Sequence, residues 1–169
     1  IISSFLILYP KQNHTQIAEI LRLLHQSISS NAIFIFQHHK LRPKIRLSLK
    51  GYWAENPEFN GKSNQIVSIF ENYLLDMLKP MTIEDMHFIL HANQFHASYK
   101  SDLTRLEYNT LLFIPLYISK DLFGTIVVTH PDATYTYNSK EISVCMNLAI
   151  LLGFSFQSQQ QQESLSNLL

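Results

Sequence analysis

The stretch LLFIPLYISKDLFGTIVVTH, residues 111–130, decides the fold. Leu111 to Ile118 is an aliphatic and aromatic run of strand length, and Leu122 to His130 is a second one. Ser119-Lys120-Asp121 is a turn between them, so the two runs form a hairpin. Pro115 has no amide proton to give to a ladder, which predicts a sheet edge or a bulge at that end. Gly124 in the returning arm predicts a bulge or a close backbone approach.

Downstream, residues 131–138 read as a loop and Ser139 as the cap of a final helix reaching about Gln162. Its first apolar face is Ile142, Cys145, Met146, Ala149, Gly153 and Phe156. A second comprises Val144, Leu148 and Leu151, with Leu152 between the two. A surface helix needs only one apolar stripe, so two stripes predict cover on both sides. The Gln-rich run 157–162 is polar with good helical propensity, as a helical linker leaving a domain would be.

Upstream, Ile1 to Tyr9 fits a short helix stopped before Pro10. The opening at Ile1 predicts a piece of a longer polypeptide, and this apolar run is far shorter than a membrane helix of about 20 residues. Thr15 is a plausible cap for a second helix with Ile17, Ile20, Leu21, Leu24 and Ile28 at helical spacing. Ala32 to Phe36 reads as a buried strand. Ile45, Leu47 and Leu49 alternate with polar residues in a half-buried partner strand. Gly51 to Asn64 is read as a loop because of its glycines, asparagines and Pro57. Ser63 caps a helix with Ile66, Ile69, Phe70, Tyr73, Leu74 and Met77 on one face. Residues 82–85 are open to strand or turn, and Phe88 to Phe95 is read as a short helix.

The 169 residues suit one domain. Charged residues make up only 15%, against a usual value of about 25%, so part of the surface is expected to be covered by partners, ligand or adjoining chain. Thirteen basic residues balance thirteen acidic ones. That neutrality argues against a nucleic-acid partner, which needs a basic stripe to displace phosphate counterions. Lys40, Arg42, Lys44, Arg46 and Lys50 are therefore read as a solvated strand face. A single cysteine, Cys145, excludes a disulfide framework, a zinc ribbon and a paired-thiol redox site within one chain. It places the protein in the cytoplasm or on the cytoplasmic side of a membrane-anchored protein.

Sequential antiparallel strands with helices gathered to one face make an α+β plan. Leu111 to Phe156 also resembles the C-terminal half of GAF domains. The residues that carry the resemblance are Pro115-Leu116, the turn 119–121, Gly124-Thr125-Ile126-Val127-Val128, the loop around Tyr135 to Asn138, Ser139-Lys140-Glu141-Ile142 and Leu148-Ala149. The long helix before the AIFIF strand extends it over about residues 15–156. The resemblance implies a GAF/PAS-like central antiparallel sheet of about six strands, with the N- and C-terminal helices on one face. It implies a lead-in at residues 1–14, a sensor domain at 15–156 and a linker at 157–169 toward an output domain. A homodimer is expected through the terminal helices, with Ile17, Leu21, Val144, Leu148 and Leu151 in contact.

A pocket on the opposite sheet face would be walled by Trp53, Phe88, Phe95, Tyr108 and Phe113. His91, Asn93 and Asn109 would supply its polar groups. Two readings stay open: a cavity for a small molecule of unknown identity, or a ligand-free connector in which these rings fill the face. No enzyme motif is visible. Cys145, mid-helix among apolar residues, reads as an inert core thiol and is not placed for bilin attachment. His87, His91 and His96 lie within ten positions, and His87 and His91 would share a face of a helix. They lack the further ligands that a structural zinc needs, so no metal is assigned. His38-His39 reads as a solvated strand-end doublet.

Overall fold

In the computed structural model the described residues are 14–41, 44–55, 66–71, 88–92 and 97–168. Helix α1, His14–His25, is followed by strands β1, Ala32–Leu41, and β2, Lys44–Ala54. A helical segment at residues 66–71 (α2) precedes β3, Phe88–His91. Then come α3, Ala97–Arg105; β4, Thr110–Ile118; β5, Asp121–His130; and the long α4, Ser139–Leu168. The strands form one antiparallel sheet in the order β2-β1-β5-β4-β3. Five strands are present among the described residues, against about six expected. Residues 82–85 lie outside them.

The period-two alternation of strands sorts the sheet into two faces. Ile33 and Ile35 of β1, Leu112, Ile114 and Leu116 of β4, and Ile126 and Val128 of β5 point to one side. There they meet Leu21 and Leu24 of α1 and Cys145, Leu148, Leu152 and Phe156 of α4. Phe34, Phe36, Phe113 and Val127 point to the other side, against Ile66, Ile69 and Phe70 of α2, Leu103 of α3 and Tyr108. Burying a leucine or phenylalanine side chain contributes about 1.5–3 kcal/mol, so both layers are held by many such terms. The terminal helices share one face, as the α+β plan requires.

The hairpin 111–130 forms with its irregularities where Pro115 and Gly124 put them. β3 ends opposite Phe113, so Pro115 has no described strand on that side. The β4–β5 register shifts between Leu116 and Tyr117. Gly124 sits where β5 passes so close to β1 that a Cβ would run into the Phe36 carbonyl oxygen.

Three elements differ from the sequence reading. β2 does not stop at Gly51 but continues to Ala54, because a bulge near Ile35 and Phe36 absorbs Lys50. Gly51 there leaves room for α1, since a Cβ would lie 2.6 Å from Ile17 Cγ2. Residues 88–91 are a strand and not the start of a helix. Four short residues gain ladder bonds from β4 that an isolated helical turn could not match. The final helix runs six residues past Gln162. Its cap is Asn138 and not Ser139: Asn138 Oδ1 accepts the Glu141 amide at 2.8 Å, and Glu141 Oε1 accepts the Asn138 amide at 3.2 Å. This is a reciprocal capping box.

The basic stripe is only partly described. Arg46 is exposed and lies 3.8 Å from Glu71. Glu71 also accepts the Leu47 amide at 2.8 Å, so a carboxylate from α2 meets the outer edge of β2. His38 is not solvated: its ring is buried and bonds Thr125 Oγ1 at 2.8 Å. His39 bonds Ser48 Oγ at 2.7 Å.

Candidate functional site

The sheet face away from the terminal helices is filled with rings. Phe36 and Phe70 have centroids 5.3 Å apart, Phe34 and Tyr108 5.7 Å, and Phe70 and Phe113 6.0 Å. These are the tilted and edge-on spacings that aromatic quadrupoles favour. All five rings are fully buried. Tyr108 reaches this cluster because α3 ends in a Schellman turn. Glu107 takes a positive φ of 62°, and the Tyr108 and Glu107 amides return to the Leu103 and Thr104 carbonyls. The Tyr108 hydroxyl is buried with no hydrogen-bond partner among the described residues, and burial pushes its pKa far up.

Of the residues expected to wall a pocket, Tyr108 and Phe113 share this face, and Phe88 is the register partner of Phe113. Trp53 does not join them. It sits on the helix side of the sheet, stacked on His25 of α1 at 3.9 Å. His91 pairs with Thr110 and bonds its Oγ1 at 3.1 Å. Asn109 donates to the Pro131 carbonyl at 2.7 Å. Phe95, Asn93, His87 and His96 lie outside the described residues. Among the described residues no group of three or more His, Cys, Asp or Glu is placed to hold a metal. Burial, with Glu141 nearby, pushes the Cys145 thiol up to about 12, far from a reactive thiolate.

The residues expected at a dimer interface divide as well. Leu21 and Leu148 are buried within their own subunit. Ile17, Val144 and Leu151 are half-buried against the helix-side core. The outward apolar residues of α4 are instead Ile150, 56% exposed, and Phe154, 66% exposed, followed by Leu165 and Leu168. At 100° per residue these lie across the helix axis from Leu148 and Leu152. An 18-residue window of α4 is apolar enough to cross a membrane by composition, with mean hydropathy 1.3. Its inner face is nevertheless committed to the sheet. Gly153 lets it approach so closely that a Cβ would lie 2.5 Å from the Tyr117 carbonyl oxygen.

A polar cluster that sequence reasoning missed lies where α1, β5 and α4 meet. The buried Glu141 carboxylate accepts the Ser29 amide at 2.8 Å and the Tyr135 hydroxyl at 2.8 and 2.9 Å, besides the Asn138 amide. The His130 ring stacks on Tyr135 at 3.7 Å with 6° between planes. His130 Nε2 lies 2.9 Å from Ser29 Oγ, and its Nδ1 accepts the Asp132 amide at 3.0 Å. That last bond fixes the tautomer: Nδ1 holds the lone pair, so Nε2 carries the proton and donates to Ser29. A general base would need its lone pair on the serine side, so this contact is structural. Only the pair Asn138 and Glu141, spaced as a capping box, could have signalled the cluster in the sequence.

No protein-family model and no curated protein sequence matches the chain. Solved structures do. A phycoerythrobilin-bound GAF domain from a cyanobacterial phytochrome superposes with a TM-score of 0.68 at 8% identity, over 95% of this chain and 95% of that one. A domain of a two-component sensor histidine kinase protein from Sinorhizobium meliloti gives 0.64 at 15%, over 89% and 97%. A GAF domain/HD domain protein from Geobacter sulfurreducens gives 0.64 at 12%, over 86% and 92%. With its sheet order, its terminal helices on one face and these neighbours, the chain has the GAF-like fold.

Proposed function

We propose that this chain is a non-catalytic regulatory domain that pairs with a second copy along the outer face of α4 and passes a conformational signal down that helix to an adjoining output domain. One observation carries the reading. α4 holds 30 residues, and apolar side chains stand exposed at 150, 154, 165 and 168 on its outer side. These positions, with Gln161 between them, recur at intervals of three, four and seven, the spacing of a two-helix seam. Residues 147–168 supply about three heptads, near the lower limit for a stable coil, so the pairing is weak enough to be shifted by a signal. The domains that share the fold include parts of a sensor histidine kinase and of a phytochrome, which supports a sensory role.

The input end has two forms. The ring-filled sheet face favours a connector that needs no ligand. The unpartnered Tyr108 hydroxyl favours a small molecule that displaces part of the filling. Sedimentation velocity on the 169-residue chain tests the pairing. A dimer that Phe154→Ser with Ile150→Ser weakens at least about tenfold, or about 1.4 kcal/mol, is the expected outcome. A monomer at high micromolar concentration would sink the pairing. Native mass spectrometry separates the two input forms by the presence or absence of a co-purified small molecule.

A further inference from the structure

The cluster at the junction of α1, β5 and α4 does more than cap a helix. Glu141 belongs to the first turn of α4, Ser29 to the connection between α1 and β1, and Tyr135 to the loop after β5. One buried carboxylate therefore ties the end of the N-terminal helix to the root of the C-terminal one. Tyr135 is aimed at Glu141 by a short turn. Its amide returns to the Asp132 carbonyl at 3.2 Å, and Asp132 Oδ1 accepts the Thr134 amide at 2.9 Å and the Thr134 hydroxyl at 2.8 Å. The turn is pinned to β4, since the Asp132 carbonyl also accepts Thr110 Oγ1 at 2.8 Å.

We propose that His130 is the proton-sensitive member of this junction: its neutral ring keeps the α1–β1 connection fastened to the root of α4, and protonation at Nδ1 unfastens it. The geometry dictates the sequence of events. A proton can enter only at Nδ1, the nitrogen that now accepts the Asp132 amide. Two donors cannot face each other, so that amide is expelled. The stack on Tyr135 tolerates the charge, because a cation over a tyrosine face is attracted to it. The new Nδ1–H needs an acceptor, and the Asp132 carboxylate is the adjacent one. Drawing it from Thr134 removes two of the bonds that shape the turn, and with them the aim of Tyr135 at Glu141.

Among the described residues the groups around His130 are few. The loop brings Asp132, Tyr135 and Tyr137, and α4 brings Glu141. β4 brings Thr110 as register partner, with His91 of β3 bonded to its hydroxyl at 3.1 Å on the far side, and the α1–β1 connection brings Ser29. Partial burial lowers the His130 pKa, while Asp132 and Glu141 oppose that shift. The ring is therefore neutral near pH 7. A histidine whose pKa falls on folding leaves its contribution intact above the ordinary imidazole value of about 6.5 and loses it as pH drops below that value. The fastening lies within one subunit and stands apart from the pairing of two copies.

An NMR titration of the 169-residue chain from about pH 8 to about pH 5 tests this. Expected are an Nε2–H tautomer for His130 at neutral pH and a midpoint below the ordinary imidazole value. The Ser29, Thr134 and Glu141 amides should shift with that same midpoint. Ser29 amide exchange, corrected for its intrinsic pH dependence, should quicken about tenfold across it. In Asp132→Asn, which keeps the turn and leaves only a neutral, weaker acceptor, His130 should titrate with clearly smaller shifts at Ser29 and Glu141 than in the wild type. His130→Gln should flatten all three amides. Still Ser29 and Glu141 amides in the wild type, or amides that follow His130 unchanged in Asp132→Asn, would overturn the proposal.

Discussion

Replacing Gly124 by alanine tests the packing of the central strands. At an ordinary strand position, glycine to alanine stabilises by about 0.5–1 kcal/mol, because the unfolded chain loses freedom. Gly124 has no positive φ to protect, so torsion alone predicts a gain. Contacts predict the reverse. The new Cβ meets the Phe36 carbonyl oxygen, with the carbonyl carbon at 3.1 Å and Gln37 Cα at 3.3 Å. All three belong to the backbone of β1, which pairs with β5 from Ala32 to Gln37, so no rotamer change relieves them. Separating the strands strains ladder bonds worth about 1 kcal/mol each, on top of an overpacking penalty of about 1–3 kcal/mol. The net expectation is a loss of about 3 kcal/mol. Gly51→Ala is the comparison: its Cβ would meet Ile17 Cγ2 at 2.6 Å and Ile17 Cβ at 3.3 Å, both side-chain atoms of α1 that are stiff at χ1 but can give as the helix shifts, so its net loss should be smaller, about 1 kcal/mol. Urea unfolding reads the difference. With a slope of about 2 kcal/mol per molar urea, Gly124→Ala should unfold about 1.5 M earlier than wild type and well before Gly51→Ala. A midpoint for Gly124→Ala equal to or above that of wild type would refute the close approach of β5 to β1.

Tyr108→Phe removes a buried hydroxyl with no partner among the described residues. It should raise stability by about 1 kcal/mol in the same assay, and a loss would mean that the hydroxyl serves a bound molecule. Cys145, with its thiol held up at about 12, should resist alkylation at mildly alkaline pH until urea unfolds the chain. Rapid labelling of the native protein, read by mass spectrometry, would contradict its burial.

The parts of the fold that were legible in the sequence are those where one residue type has one physical use. Pro115 marked an edge or a bulge, and the register shifts beside it between Leu116 and Tyr117; Gly124 marked a close approach, which β1 makes. The inner face of α4 was legible from its spacing, though its outer face was not. Leu148 looked like an outward residue but turns inward, and Ile150 and Phe154 carry the exposed side. Periodicity shows that a helix has several apolar rows, and only the sheet decides which row it takes. Residues 88–91 were illegible because Phe-Ile-Leu-His suits either element until β4 supplies a ladder. Gly51 looked like a breaker because a bulge leaves no mark other than the partner's register. The polar junction escaped notice because Ser29 lies about a hundred positions before His130, Asp132, Tyr135 and Glu141, and within the later group only Asn138 and Glu141 have a spacing with a known use, that of a capping box. Trp53 and Tyr108 were grouped by their chemistry, and the alternation of β2 separates them.

The uneven anchoring of α4 has a mechanical meaning. Its last fully buried residue is Phe156, and 157–168 continue as 12 further residues of unbroken helix in which Gln157, Gln159 and Gln162 are only half-buried. At 1.5 Å per residue that stretch is about 18 Å long. Were the helix to pivot at Phe156, a tilt of about 10° would swing the tip at Leu168 by about 3 Å. Under the proposed relay, movement too small to disturb the sheet would thereby grow to a few ångströms at Leu168.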